Sequence, residues 1–413
     1  MKIKTTQLSV LFLSMFIFTL GSGIVVPVLP YFVKNLDGTV IDVGFLIAAF
    51  SAMELIFAPI WGKLSDQIGR KPVLIIGLAG FGFSFVLSGL SSQLWMLYLS
   101  QILAGIIVAG VYPAATAYVA DSTLLEERGS LMGMLGAASG LGIIVGPGMA
   151  SIFAVWGVNI PFFAAAAVSF LTGIIGFLWL EESKIAETQN KDNISLKTTL
   201  NSFFMSDIGL LFLLMAFVML ALASLEGTFG YFVMDRFSLG ETPSSIPLLD
   251  SSLMLTGPNM MGIVFTSFGI LSVITQALLV GKTIKILGEE KTIIRGLLLL
   301  TVGLSLIIFS ADLISLIIST SIIAVAVGLI IPSINTAVSK RTSEEKQGVI
   351  MGLLGSFNSV GRVLGPVIGG YAYAISMLSP YIGAALVALL SAIALQLYNW
   401  SIKSNEVQCN EEK

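Results

Sequence analysis

Residues 133–151 read GMLGAASGLGIIVGPGMAS, and residues 352–370 read GLLGSFNSVGRVLGPVIGG. At an offset of 219, Gly133 falls on Gly352, Gly136 on Gly355, Gly142 on Gly361, Gly146 on Gly365 and Pro147 on Pro366. The register extends outward from these stretches: Gly62 and Lys63 fall on Gly281 and Lys282, Gly69 on Gly288, Pro113 on Pro332 and Gly129 on Gly348. A chain with 42 glycines supplies one or two such matches by chance, but not a series in one register. The chain is therefore a tandem repeat of two homologous halves.

The solvent of those halves follows from composition. Hydrophobic residues make up 56% of the chain and charged residues 11%, and the mean hydropathy is +0.96, far from the balance of a water-soluble domain. In a bilayer every backbone polar group must be satisfied inside its own span or in a closed barrel, and the long apolar runs select helices. There is no histidine, and the single cysteine, Cys409, lies in a polar tail, so no disulfide framework, thiolate cluster or imidazole shuttle is available. The sequence thus implies no cofactor and no metal. No basic patch suggests nucleic acid, and no GxxxxGK[ST] loop suggests nucleotide-driven work.

At about 20 apolar residues per span, helices are expected near 8–33, 43–64, 71–91, 95–119, 129–154, 161–180, 208–233, 259–281, 292–311, 313–338, 348–375 and 381–401. The fold class is thus an all-α membrane protein, twelve transmembrane helices in two pseudo-symmetric six-helix bundles. The divisions are 1–180 for the first bundle, 181–207 for a polar linker, 208–401 for the second bundle and 402–413 for a tail. The first apolar run is too long for a signal-peptide core and reads as a span. Of 21 Lys and Arg, only Lys34 and Arg236 fall in loops on one side, Arg362 lies inside a span, and the other 18 share the side of the termini. That asymmetry puts both termini in the cytoplasm. The longest external loop is 235–258, where LLDSSLML is read as a short interfacial helix or a disordered insertion.

After the second span comes GKLSDQIGRKP, residues 62–72, a tight hairpin with an acid, Asp66, among bases. This run resembles the loop signature of the major facilitator superfamily, and the resemblance extends over essentially the whole chain. Its second-half counterpart, GKTIKILGEEK at 281–291, is degenerate, with Lys285 where Asp66 stands. The resemblance implies that Asp66 caps the eleventh helix while Arg70 pairs with Asp121 at the end of the fourth, a cytoplasmic latch for the outward-facing state. The stretch at 133–151 is similar to the antiporter signature of the drug:proton branch of that superfamily, through Gly142, Gly146, Pro147 and Gly148. GSGIVVPVLPYF at 21–32 resembles the opening helix of bacterial multidrug exporters, including quinolone exporters. One position departs: the fourth span carries Gln101 where the family usually has an arginine often assigned to proton transfer, which puts the usual coupling route in doubt.

Three ionisable residues lie well inside spans, Glu54, Glu226 and Arg362, each costing at least about 2.5 kcal/mol at the bilayer centre. Glu226, in SLEGTFGYF, is read as the proton or cation site. Glu54 and Arg362 each fall near mid-depth of helices that face one another in this fold, and an inter-half ion pair would lower the cost of burying both; the alternative leaves Glu54 free to titrate and Arg362 free to contact substrate. Tyr31, Gln101, Phe229, Phe232, Asn335 and Asn358 are candidates for the substrate cavity, and 16 methionines suit an adaptable pocket or simply fill helix interfaces.

The reading is a non-enzymatic secondary transporter in the cell membrane, exporting amphipathic drugs or metabolites against proton influx by alternating access. Its partners are a small amphipathic substrate, protons and the lipid bilayer, and the resemblance implies that it works as a monomer. Two alternatives stay open: a carrier specific for one metabolite, with or without proton coupling, and a non-transporting membrane sensor.

Overall fold

The computed structural model describes all residues except 1–4, 124, 184–206, 249–250, 344–345 and 412–413. Among the described residues twelve helices are long and apolar enough to span a bilayer. In order they are Thr5–Asn35, Val40–Ile68, Arg70–Gly89, Leu94–Ser122, Glu127–Trp156, Ile160–Trp179, Ile208–Phe237, Gly257–Leu287, Glu289–Ile308, Leu313–Lys340, Gln347–Ile375 and Ser379–Trp400. We number them as spans 1 to 12. Span 4 is interrupted after Val108 and resumes at Val111, and span 8 passes through a π-helical turn at Thr275–Leu279. The last helix runs on to Glu411, into the expected tail. The expected linker lies, from 184 to 206, outside the described residues.

Helix starts are fixed by local chemistry. Asp42 accepts from the Thr39 amide at 2.8 Å at the start of span 2, and Asp312 accepts from the Ser315 amide at 2.7 Å at the start of span 10. Gly69 and Gly288, at φ of +102° and +80°, make the sharp turns between spans 2 and 3 and between spans 8 and 9, where a side chain would be strained.

The repeat is visible in the packing. Span 1 lies along span 5 and span 7 along span 11; span 3 packs on span 6 and span 9 on span 12. Across the halves, span 2 meets span 11 and span 5 meets span 8. A Cβ on Gly142 would stand 2.5 Å from the Phe16 carbonyl oxygen, and one on Gly146 would stand 2.8 Å from that of Leu20. In the second half Gly361 approaches the carbonyl of Ala216, and a Cβ on Gly365 would stand 2.5 Å from that of Leu220. The glycines repeat at 219 and their partner carbonyls at 200, so one backbone-to-backbone clamp occurs twice. Small residues on one helix let another helix approach this closely, the usual means of holding spans together in lipid.

The loop before span 8 is a β-hairpin, not the interfacial helix or disordered insertion expected for LLDSSLML. Strand β1, Ser244–Leu248, pairs antiparallel with β2, Ser251–Leu255, with Ser244 opposite Leu255 and Leu248 opposite Ser251. Four serines and Pro247 weaken helix here, and pairing satisfies the backbone instead. We call the side of the bundle bearing this hairpin the hairpin face and the opposite side the terminal face.

The halves touch at the hairpin face and part at the terminal face. Near the hairpin, Gly44 of span 2 lies on the Pro366 carbonyl of span 11, Gly230 on Pro30, and Gly262 on Ser151. Tyr231 donates to the Gly38 carbonyl at 3.0 Å across the halves, and Asn35 donates to Glu241. Toward the terminal face, Gly62, Gly129, Gly133, Gly136, Gly281, Gly348, Gly352 and Gly355 have nothing within 4 Å of where a Cβ would stand. These open glycines sit on spans 2, 5, 8 and 11, the least buried of the twelve, at 22–33% of their apolar stretch against 39–72% elsewhere. The four spans line an opening toward the terminal face.

Candidate functional site

Where the opening ends, inside the bundle, lies a cavity of about 600 Å³, part of it open to solvent. Its wall comes almost wholly from the first half. Span 1 gives Ser22, Val25 and Val26, span 2 gives Ile47 and Phe50, span 3 gives Phe81, Ser84, Phe85 and Ser88, and span 4 gives Gln101 and Ala104. Among the described residues the second half gives it only Glu226 of span 7 and Arg362 of span 11. One half supplies an apolar, aromatic and hydroxyl-bearing wall, and the other supplies the two charges.

Local packing explains the wall. Gly21 leaves room for two rings: a Cβ there would stand 2.6 Å from Phe81 and 2.8 Å from Phe85. Those rings lie 4.2 Å apart, one helical turn from each other, and Ser84 and Ser88 repeat the same spacing beside them. Ser88 is tied to Ser100 at 2.8 Å, and Ser84 donates to the Gly80 carbonyl at 2.9 Å. Gly105 lets span 4 reach the backbone of Phe50, a Cβ there standing 3.2 Å from the Phe50 carbonyl carbon, which fixes that ring's helix against the cavity.

The expected site residues divide. Glu226, Arg362 and Gln101 meet on the cavity, Gln101 being 7% exposed. Tyr31 is not a lining residue: it is buried against Gly257 in the closed hairpin-face seam, and its hydroxyl has no hydrogen-bond partner. Phe229 and Phe232 are fully buried in the second half, Phe229 edge-on to Phe265 and Phe232 edge-on to Tyr381. Phe232, six residues on, falls on another side of the helix from Glu226, whereas Phe229, three residues on, shares its side and is taken up by its contact with Phe265. Asn335 and Asn358 also lie outside the cavity lining. Asn358 sits one turn nearer the terminal face than Arg362, with its amide 4.0 Å from Met215 Sδ. Glu54 stands likewise one turn beyond Phe50, on the terminal side.

The expected Glu54–Arg362 ion pair is not formed in this conformation; the ion pairs among the described residues lie at the terminal face. Arg362 instead lines the cavity together with Glu226 of its own half.

At the terminal face Asp66, Arg70 and Asp121 come together within the first half while the halves stand apart there, so among the described residues the trio assembles without the expected capping of span 11 by Asp66. Arg70 is 2.5 Å from Asp66 and donates Nε–H to Asp121 at 3.0 Å, and its other arm donates to Ser65 at 2.6 Å. Glu182, just past span 6, accepts from the amides of Arg70 and Lys71 at 2.7 and 3.2 Å, capping span 3. The second-half loop, degenerate by motif, carries an ordered counterpart: Glu289 pairs with Lys340 and Glu290 with Arg341. Of the antiporter-like residues, Gly142 and Gly146 clamp span 1, Pro147 touches Gly23 of span 1, and Gly148 faces Thr266 of span 8.

Comparison with known proteins agrees with this architecture. A family model, the Major Facilitator Superfamily, matches residues 11–257 and 244–412. Multidrug resistance protein 1 of Bacillus subtilis (strain 168) is 32% identical over 397 residues, covering 96% of this chain and 97% of its own. The class B tetracycline resistance protein of Escherichia coli is 28% identical over 358 residues, covering 86% of this chain and 85% of its own. Among solved structures, the nucleoside transporter NupG superposes with a TM-score of 0.77 at 13% identity, over 95% of this chain and 99% of that one, a likeness of fold alone.

Proposed function

The chain belongs to the Major Facilitator Superfamily, and on that premise we propose that it exports amphipathic organic molecules across the cell membrane, driven by proton influx. The observation that carries the reading is the composite cavity, with ring faces and hydroxyls from one half and Glu226 with Arg362 from the other. An apolar body packs against Phe50, Phe81 and Phe85, and a cationic group is held by the Glu226 carboxylate. One carboxylate holds a proton or a cation but not both, and this exclusivity is the minimum needed for antiport. The charge bias of the loops puts both termini in the cytoplasm, so the conformation described is open to the cytoplasm. Rocking of the halves then carries the site to the other side. Glu226 is the principal proton carrier in this reading, and Glu54, on the wall of the opening, is a second station on the cytoplasmic side.

Relatives named for multidrug, tetracycline and quinolone resistance support drug-like substrates. A second reading, a carrier for one anionic or zwitterionic metabolite, is favoured by Arg362 standing in the cavity with Gln101. Proteoliposomes with an imposed pH gradient separate the two. Substrate-dependent proton flux together with movement of a fluorescent lipophilic cation, both lost in Glu226→Gln, supports drug:proton exchange on Glu226. Cation movement without proton flux, or normal coupling in the variant, refutes that mechanism.

A further inference from the structure

The hydrogen bonds that the cavity's polar side chains already make decide what those side chains can offer a ligand. A serine hydroxyl has one proton to give and two lone pairs that receive. Ser84 gives its proton to the Gly80 carbonyl at 2.9 Å, and Ser22 directs its own at the Phe18 carbonyl at 3.4 Å. Ser100, behind the wall, donates to the Leu97 carbonyl at 2.8 Å, so its 2.8 Å contact with Ser88 is satisfied only when Ser88 is the donor. All three cavity hydroxyls thus turn their protons into their own half and leave only lone pairs for the cavity. Turning one round to act as a donor breaks a bond it already makes. Gln101, 7% exposed and without a hydrogen bond among the described residues, adds an amide carbonyl with its N–H groups, and an ionised Glu226 only accepts. The remaining donor, Arg362, is exposed in the opening.

The wall is therefore built to receive hydrogen bonds. Resting on the reading of Glu226 as the cation site, we propose that the cavity selects amphipathic cations that carry N–H donors, protonated primary and secondary amines and amidines, over permanently alkylated ammonium or phosphonium ions of the same shape. Ring faces and one carboxylate alone give the opposite order. A fully alkylated cation is weakly hydrated and loses little on leaving water, whereas every N–H that leaves water without a new partner is a penalty. The serine oxygens reverse that balance, because bonds from a charged donor are stronger than those between neutral groups. Ser84 and Ser88 stand one turn apart on span 3, about 5–6 Å between Cβ atoms, so an ammonium lodged between them reaches both oxygens and keeps a third N–H for Glu226 on the opposite wall. Phe81 and Phe85, on the same helix, take the apolar body. The hydroxyls of span 3 thus set which cations the carboxylate of span 7 holds.

The test is equilibrium titration of the full chain in nanodiscs, read by the fluorescence of a naphthylbutylammonium ion and of its mono-, di- and trimethylated forms, at about pH 8, where each amine stays protonated. Affinity is expected to fall along the series, by about ten- to hundredfold from the primary to the trimethylated ion. Ser84→Ala with Ser88→Ala removes two acceptors and is expected to bring the ends of the series to within about threefold of each other. A trimethylated ion that binds wild type as tightly as the primary one, or more tightly, overturns the proposal whether or not the double variant folds. A double variant that binds and keeps the full preference overturns it as well. Glu226→Gln separates this selection from the reading beneath it: if all four affinities are unchanged, the carboxylate is not the cation site, and the order within the series still decides what the hydroxyls do. Absence of binding by all four ions overturns both.

Discussion

Gly44 and Gly361 offer a pair of substitutions that look alike locally and differ in what they touch. A Cβ on Gly44 would fall on the Pro366 carbonyl oxygen and 2.9 Å from its carbon, and one on Gly361 would fall on the Ala216 carbonyl oxygen and 2.6 Å from Met219 Cβ. Each neighbour is helical backbone or a short side chain that cannot swing aside, so each alanine needs a displacement of about 1 Å and costs about 1–3 kcal/mol. Gly361 faces span 7 of its own half, and its cost is paid in every conformation. Gly44 faces span 11 of the other half, in a contact that exists only while the hairpin face is closed. Gly44→Ala should therefore leave thermal stability almost unchanged and move the balance between terminal-open and hairpin-open forms toward the latter by roughly 5- to 150-fold. Gly361→Ala should lower the unfolding midpoint and leave the balance alone. Inter-label distances across the terminal face, read beside a thermal melt in detergent, measure both quantities. Gly281→Ala, with open space around it, is the control. If Gly44→Ala lowers the melt and leaves the distances unchanged, the claim that this seam exists in only one conformation is refuted.

Three further outcomes follow from the site and its supports. Arg362→Gln should tighten binding of a lipophilic monocation about fivefold, on the order of 1 kcal/mol of relieved repulsion in a half-solvated cavity, while Arg362→Lys should not; equilibrium titration of a fluorescent cation decides, and equal affinities in all three proteins exclude a role for the guanidinium charge. Glu182→Ala removes the acceptor for the Arg70 and Lys71 amides and should cost about 1 kcal/mol, seen as a lower melting temperature with transport kinetics preserved at low temperature. Hydrogen bonds from the Ser315 amide and hydroxyl hold the Asp312 carboxyl below the usual carboxylate range. Its contribution is therefore present at neutral pH and lost as pH falls through the depressed value, so wild type should lose its stability margin over Asp312→Ala on acidification, and a margin independent of pH would contradict the capping role.

The sequence made the fold legible because two independent signals, apolar length and the 219-residue register, both report backbone requirements. The clamp glycines are readable for the same reason: Gly142 and Gly361 occur where another backbone must approach, and nothing larger fits. The cavity was harder to read because spans that are apolar on every side give no periodic mark of which face looks inward. Phe229 and Phe81 are the same residue in similar surroundings, yet one fills a helix interface and the other walls the cavity. A usable signal was present in GFGFSF at 80–85, where rings and serines repeat at one helical turn opposite Gly21. Glu226 and Arg362 were found because charge inside a span is costly wherever it points. Their relation to Glu54 was not, because an ion pair depends on how far the halves stand apart, and a conformation is not encoded in spacing. The second terminal cluster is hard to read because its pairs, Glu289 with Lys340 and Glu290 with Arg341, join residues 51 positions apart and match the first-half loop poorly by residue type.

The distribution of contacts also indicates how the halves can move. Within each half, helices are locked by glycines pressed onto carbonyls, at Phe16 and Leu20 in one and at Ala216 and Leu220 in the other, and altering those contacts means repacking a helix pair. Between the halves, the hairpin-face seam is small-residue packing crossed by hydrogen bonds such as those from Tyr231 to Gly38 and from Asn35 to Glu241. Each such bond contributes about 1 kcal/mol net, and its loss on opening is offset when the terminal face gains contacts of its own. Binding energies that shift a two-state balance are of the same few kcal/mol. A ligand or proton on Glu226, which reaches the wall of the opposite half across this seam, is therefore placed to tip the equilibrium between two rigid arrangements without unfolding either half.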